Sequence, residues 1–383
     1  MKIALLCHKF WPAVGGLCTY TWKLAEFLVG RGHKVQVFTS KVPVDSPARE
    51  TIDSALRIYR FNPRLAKHIP FYFMPGLLSP AQLNRLWQSD LVHSVGYYFS
   101  PALLGHLVSR LSGSKYVSTV VFTRNPESWQ RAWFDRLVGR QIVRGADHVI
   151  LQSRREKDLV QSRGFTLPAH SIIPFGVDAA AFRRDYDVTS LRTRTCESEE
   201  EKVLLFVGRI ISTKGSFRVL EAVKRARDRG LAVRLVMMGE LVANEKEAFC
   251  RRRLELRLER AVTMTGVIHD EVEKARYYQM ADAVVFPSQY EQFGMVAIEA
   301  VASGCPLLGT PVGIMQDIVP RFGIGLLHPF EDVERFAMNI REVLEENQFR
   351  LNATKHRGYF LEKYSWARIV EQTEALFQEL IQQ

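Results

Sequence analysis

The residues best placed to do chemistry in this chain lie between Ser288 and Pro306, in the run SQYEQFGMVAIEAVASGCP. It holds two carboxylates, Glu291 and Glu299. Glu291 falls in a loop. Gly294 permits a tight backbone turn, and Met295 to Ala302 reads as a helix, with Glu299 about one turn inside it. Such a helix leaves the backbone N–H groups of Gly294, Met295 and Val296 without intrahelical acceptors, which favours a phosphate. A carboxylate on each side of that site accepts hydrogen bonds from pairs of sugar hydroxyls. The pair is therefore suited to hold two polyols flanking a diphosphate. Two glutamates at this spacing are otherwise common on solvated helix faces, and it is their setting that distinguishes these.

The elements that must position them are readable. Ala283 to Phe286 is a short, β-prone apolar run that reads as a buried strand ending at Pro287, and Gly304-Cys305-Pro306 leads into another. Val203 to Val207 reads as a buried strand opening into Gly208-Arg209-Ile210-Ile211-Ser212-Thr213-Lys214-Gly215. Such a loop can hold a diphosphate, Arg209 through its bidentate fork and Lys214 as a point charge. The spacing is not that of a P-loop. At the N-terminus, the strand Lys2 to Cys7 is followed by a loop closing on Gly15-Gly16, then a helix and a second strand. The glycines mark either a tight turn or a place where the backbone approaches a ligand. Asp90-Leu91-Val92-His93 reads as a strand end. Tyr116 to Phe122 reads as a further strand, followed by Thr123-Arg124.

Together these segments resemble the retaining glycosyltransferases of the GT4 type, with their E-x7-E motif, over nearly the whole chain. The resemblance implies an α/β GT-B architecture of two doubly wound Rossmann-like domains facing a central cleft. Residues 1–174 would form the acceptor side and 175–363 the nucleotide-sugar side, with a helix in 364–383 crossing back toward the first domain. Alternating strands and helices in both halves agree with it. The resemblance implies that Glu291 contacts the donor sugar and Glu299 the ribose. It implies that Arg209 and Lys214 lie on the diphosphate and join Glu291 as the catalytic set. Phe293, Gly294, Met295 and Val296 belong to the same donor site, and Gly15 and Gly16 face the diphosphate. Many relatives carry a His where Thr123-Arg124 stand here, which leaves His93, Thr123 and Arg124 as acceptor-side candidates. The implied reaction is front-face transfer with retention from a nucleotide-diphosphate sugar, UDP being the commonest carrier. Asp185-Tyr186-Asp187 falls in a polar stretch, so neither a metal nor another cofactor is expected. The leaving charge then falls to Arg209, Lys214 and the helix N-terminus.

The chain has 383 residues and a formal net charge of +11. Through Phe175 it carries 23 Lys and Arg against 10 Asp and Glu, and beyond it 29 against 31. The basic first half points to an anionic acceptor or membrane surface. No nucleic-acid-binding module is recognisable in it. No apolar run reaches the length of a membrane span. The five cysteines show no ligand spacing and read as reduced thiols. Trp129 to Val143 reads as one amphipathic helix, with Arg136, Arg140 and Arg144 on one stripe and Trp129 and Trp133 on another. The Trp side chains either enter the core or form an interfacial face. Residues 69–78 are apolar and aromatic, either core or a membrane-dipping loop. The expected place is the cytoplasm, peripheral at the inner face of the cell membrane, acting on a glycan or glycolipid of the cell envelope. A non-catalytic sugar-nucleotide-binding subunit is the alternative, as is another GT-B enzyme such as an epimerase or a phosphorylase.

Overall fold

The computed structural model describes residues 1–13, 15–43, 45–61, 79–122 and 129–383. Residues 69–78, Thr123 and Arg124 therefore lie outside the described residues. The chain divides into two units, Met1–Phe175 with Trp366–Gln383, and Gly176–Ser365.

The first unit is built on an eight-stranded sheet. Its strands are β1 (Lys2–Cys7), β2 (Lys34–Ser40), β3 (Arg49–Thr51), β4 (Leu56–Phe61), β5 (Leu91–Val95), β6 (Lys115–Thr119), β7 (His148–Leu151) and β8 (His170–Ile172). They lie in the order β3-β4-β2-β1-β5-β6-β7-β8. Only the β3–β4 pairing is antiparallel. The strand order turns back between β1 and β5, the kind of switch point where doubly wound sheets bind ligands at the strands' carboxyl ends. The inner strands are nearly continuous apolar runs because both faces are covered. β5 is buried at every position. The helix Trp366–Gln382 completes this unit. Its Glu374 accepts from Arg31 at 2.9 Å and from the His33 ring at 2.7 Å. Its Trp366 packs near Tyr20 and its Phe377 meets the His93 ring edge-on.

The second unit has six parallel strands: β9 (Lys202–Val207), β10 (Val233–Met238), β11 (Val262–Gly266), β12 (Ala283–Phe286), β13 (Leu307–Gly309) and β14 (Gly325–Leu327). Their order is β11-β10-β9-β12-β13-β14, which places its switch point between β9 and β12. Helices Ser216–Asp228 and Val333–Glu345 pack together over the core through Val219, Leu220, Phe336 and Ile340. Helix Met295–Ala302 is apolar nearly all round and correspondingly buried from Ala297 onward.

One expectation needs correction, and one polar stretch is more ordered than its composition suggests. Residues 129–143 are not one regular helix: α-helical Trp129–Phe134 and Arg140–Arg144 are joined by a π-helical turn, Asp135–Gly139. The polar stretch 183–201 is not all loop. It contains the helix Thr189–Thr195, with Leu191 buried. There Arg192 donates to the Met280 and Glu201 carbonyls and to the Asp282 carboxylate.

Candidate active site

β9 and β12 run parallel and adjacent, with Leu205 beside Val284 and Phe206 beside Val285. The loops after them leave the sheet side by side at its switch point. After β9 the chain makes one 3-10 turn, Ser212–Lys214, and reverses at Gly215 with φ 76°. A Cβ on Gly215 would stand 2.0 Å from the Pro287 carbonyl oxygen, so only glycine fits. The Gln289 N–H donates to the Thr213 carbonyl at 2.9 Å and fastens one loop to the other. This lacing brings Lys214 Nζ within 2.5 Å of Glu291 Oε2. Both side chains remain partly exposed, at 25% and 19%. Gly294, at φ 98°, then turns the chain into helix Met295–Ala302, whose first N–H groups have no intrahelical acceptor and whose first two residues, Met295 and Val296, are half-buried.

Glu299 is buried, and its carboxylate is held from the neighbouring helix Glu271–Met280. Tyr278 donates its hydroxyl to Oε2 at 2.5 Å, and Lys274 donates to Oε1 at 2.8 Å. Lys274 also pairs with Glu271 at 2.7 Å. Positions 271, 274 and 278 fall on one face of that helix. Burial disfavours the Lys274 ammonium, but the charges of Glu299 and Glu271 outweigh it and raise its pKa. Burial raises the Glu271 carboxyl, with Lys274 opposing. Burial and the adjoining Glu299 charge keep the Tyr278 phenol protonated and donating. Each Glu299 oxygen keeps a further lone pair for a ligand hydroxyl. Glu271, Lys274 and Tyr278 are not among the residues that the sequence singles out. The i, i+3, i+7 spacing of an acid, a base and a phenol was the available signal.

Arg209 is exposed after β9, with no hydrogen-bonded partner among the described residues. Phe293 does not present its ring to a ligand. It is 2% exposed, lies against Tyr364, and its carbonyl accepts from the Ile314 N–H. In the first unit, Gly15 and Gly16 begin the helix Gly16–Gly30 just after β1, at that sheet's own switch point. His93 is corrected from acceptor candidate to core residue. It is fully buried, bonded to Thr119 Oγ1 at 2.7 Å and set edge-on to Phe377. Burial lowers its pKa to about 3, so it stays neutral. A histidine not singled out from the sequence, His8, stands at the carboxyl end of β1, half-buried and stacked on Phe99. Burial, with Lys9 nearby, lowers it to about 4. Trp129 and Trp133 are 71% and 58% exposed, in the same helical segment as exposed Arg136, Arg140 and Arg144. Among the described residues no three His, Cys, Asp or Glu side chains form a set that could hold a metal ion.

The family model for Glycosyl transferases group 1 matches residues 187–376, and that for Glycosyltransferase Family 4 matches residues 14–181. A D-inositol 3-phosphate glycosyltransferase of Geodermatophilus obscurus is 30% identical, over 95% of this chain and 84% of its own. Sucrose-phosphate synthase from Thermosynechococcus elongatus superposes with a TM-score of 0.79 at 23% identity, covering 99% of both chains. HepE of Anabaena, solved in complex with UDP, also gives 0.79, at 18% identity, over 99% of this chain and all of that one. The chain belongs to the GT4-type glycosyltransferases of the GT-B fold.

Proposed function

We propose that this glycosyltransferase moves a hexosyl group, with retention and without a metal, from a UDP-sugar to a membrane-associated or anionic glycan or lipid of the cell envelope. It would work at the inner face of the cell membrane. The observation that carries the donor side is the Lys214–Glu291 contact beside the anchored Glu299 at the second unit's switch point. The diphosphate sits on the N–H groups ahead of Met295, and Glu299 accepts from the ribose diol. Sugar hydroxyls take over the Glu291 carboxylate and release Lys214 to the phosphates, with exposed Arg209 closing on the same charge. The leaving phosphate oxygen takes the acceptor's proton as the new glycosidic bond forms on the face that it vacates. UDP is favoured because a structural neighbour was solved with it. The basic first half and the exposed Trp129 and Trp133 support a membrane-borne acceptor.

The test is incubation with sugar-labelled UDP-, GDP- and ADP-hexoses, following transfer or hydrolysis. Wild type should release or transfer label from a UDP-hexose with its anomeric configuration kept, and Glu291→Gln should lose about 100-fold or more. A chain that binds UDP yet never breaks the glycosyl bond, with any acceptor extract, is a binding subunit and refutes the reading.

A further inference from the structure

The first unit has a concave site at the end of its sheet opposite Gly15 and Gly16. It is a cavity of about 450 Å³ lined by Lys2, Lys34, Gln36, Arg57 and Arg85, among others. The volume falls within the range of small-molecule sites. The register explains the clustering. Lys2 is paired with Lys34 across β1 and β2, and Gln36 with Arg57 across β2 and β4. Lys34 and Gln36 are two apart on one strand, so strand alternation puts all four side chains on one face. Arg85 joins them from the helix Pro80–Trp87.

Four cations thus share one hollow that no carboxylate lines. The acids nearest in sequence are turned to other work. Asp90 accepts from the Lys2 backbone N–H, and Asp53 from those of Ala55 and Leu56. Among the described residues none of the four cationic side chains has an ion-pair partner. Like charges on directly paired strand positions, such as Lys2 and Lys34, are destabilising unless a counter-charge lies between them. Gln36 Oε1 is buried without a hydrogen-bond partner. Half a turn of that amide would present two N–H donors instead.

We propose that this cavity binds an anion carrying two or more phosphate charges, at a site separate from that of the nucleotide-sugar donor. Lys2 and Lys34 would neutralise one end of it. Arg57 and Arg85 would grip oxygens bidentately, and the Gln36 amide would donate. The hollow is roomy enough for a polyphosphate or a phosphorylated polyol. The same chemistry is found in a soluble phosphoester and in a phospholipid headgroup.

The test compares wild type with Lys34→Gln/Arg57→Gln, and with the charge-keeping Lys34→Arg/Arg57→Lys as a folding control. Arg85→Gln, on the helix, is a second, independent variant. Inorganic tripolyphosphate is titrated calorimetrically with UDP present to fill the donor site, and vesicles of phosphatidylglycerol in phosphatidylcholine are co-sedimented in parallel. The uncharged variants should bind one of the two probes at least about tenfold more weakly, the control should bind that probe more tightly than Lys34→Gln/Arg57→Gln though below wild type because Arg57→Lys gives up a bidentate grip, and binding should weaken as salt rises. Loss confined to tripolyphosphate assigns the site to a soluble anion, and loss confined to vesicles assigns it to a headgroup. Wild type binding neither probe, or uncharged variants binding both as wild type does, overturns the proposal. Neither result touches the charged residues of the donor site, Arg209, Lys214, Glu291 and Glu299, which lie in the second unit.

Discussion

Replacing Lys274 by Met removes the one ammonium that stands between Glu271 and Glu299. It lies 2.7 Å from the first carboxylate and 2.8 Å from the second. Glu299 is 7% exposed as a side chain and Glu271 26%. Removing one partner of a buried pair typically costs 3–5 kcal/mol. Because Glu271 still reaches water, the expected cost is nearer about 2–3 kcal/mol. The pH dependence has a definite sign. Burial already lifts the Glu271 carboxyl above its unfolded value, and Lys274 opposes the lift. A raised carboxyl favours the fold below its unfolded pKa, and that support is lost as pH climbs toward the folded value. Without Lys274 the lift is larger. The gap between variant and wild type should therefore be widest at neutral pH and narrow as pH falls toward the ordinary carboxylate range. The assay is hydrogen exchange of helices Glu271–Met280 and Met295–Ala302, corrected for intrinsic rates. A loss of that size speeds exchange by about 30- to 150-fold at neutral pH. A change below about threefold, or a gap that does not shrink toward pH ~5, would refute the reasoning. Under the proposed function the same variant should also bind UDP more weakly.

Gly215→Ala should lower the melting temperature by several degrees and abolish activity, because its Cβ would strike the Pro287 carbonyl and part the two loops; an unchanged melting curve would remove the loop lacing from the account. Arg209→Ala should cut turnover while activity survives EDTA, whereas loss on chelation with recovery on Mg2+ would show that a metal carries the leaving charge. His93 has a depressed folded pKa, so its contribution is present above about 6.5 and is lost as pH falls toward about 3. His93→Gln should therefore flatten acid destabilisation by up to roughly 1.4 kcal/mol per pH unit in urea titrations, and parallel wild-type and variant curves would contradict this. Arg136, Arg140 and Arg144 replaced together by Glu should weaken co-sedimentation with anionic vesicles, and equal partition of wild type onto neutral and anionic vesicles would remove the membrane from the function.

The sheets and the donor-side loops were legible because they depend on local pattern. Continuous apolar runs such as Val203 to Val207 are what a strand covered on both faces requires. Ser153, just ahead of the helix Arg154–Ser162, caps it as a local signal should and accepts from the Glu156 N–H at 3.1 Å. Lys214 and Glu291, 77 positions apart, meet because their strands are neighbours. What was not legible depends on which face of an element is covered. Lys274 and Tyr278 sit in a helix whose composition reads as solvated, and only its packing beside Met295–Ala302 turns them onto Glu299. From the sequence His93 is either a hydrogen-bonded structural residue or an acceptor-side group, because nothing near it in sequence announces that the last helix covers it. The exposure of Trp129 and Trp133 was left open because periodicity does not say which stripe faces solvent, and the π turn at Asp135–Gly139 shifts that periodicity midway.

The helix Trp366–Gln382 belongs to the unit that the first 175 residues build, although the whole of Gly176–Ser365 is threaded before it. On the ribosome the first unit must therefore wait. At about 5–20 residues per second, synthesis of those intervening residues takes roughly 10–40 s. Throughout that interval Tyr20 and His93 lack their cover, and Arg31 and His33 lack Glu374. The second unit, contiguous in sequence, has no such delay. The nascent chain should therefore expose a hydrophobic face on its early half while its later half closes. That face is where a chaperone would engage it, and a ribosome stalled short of residue 366 would carry it uncovered.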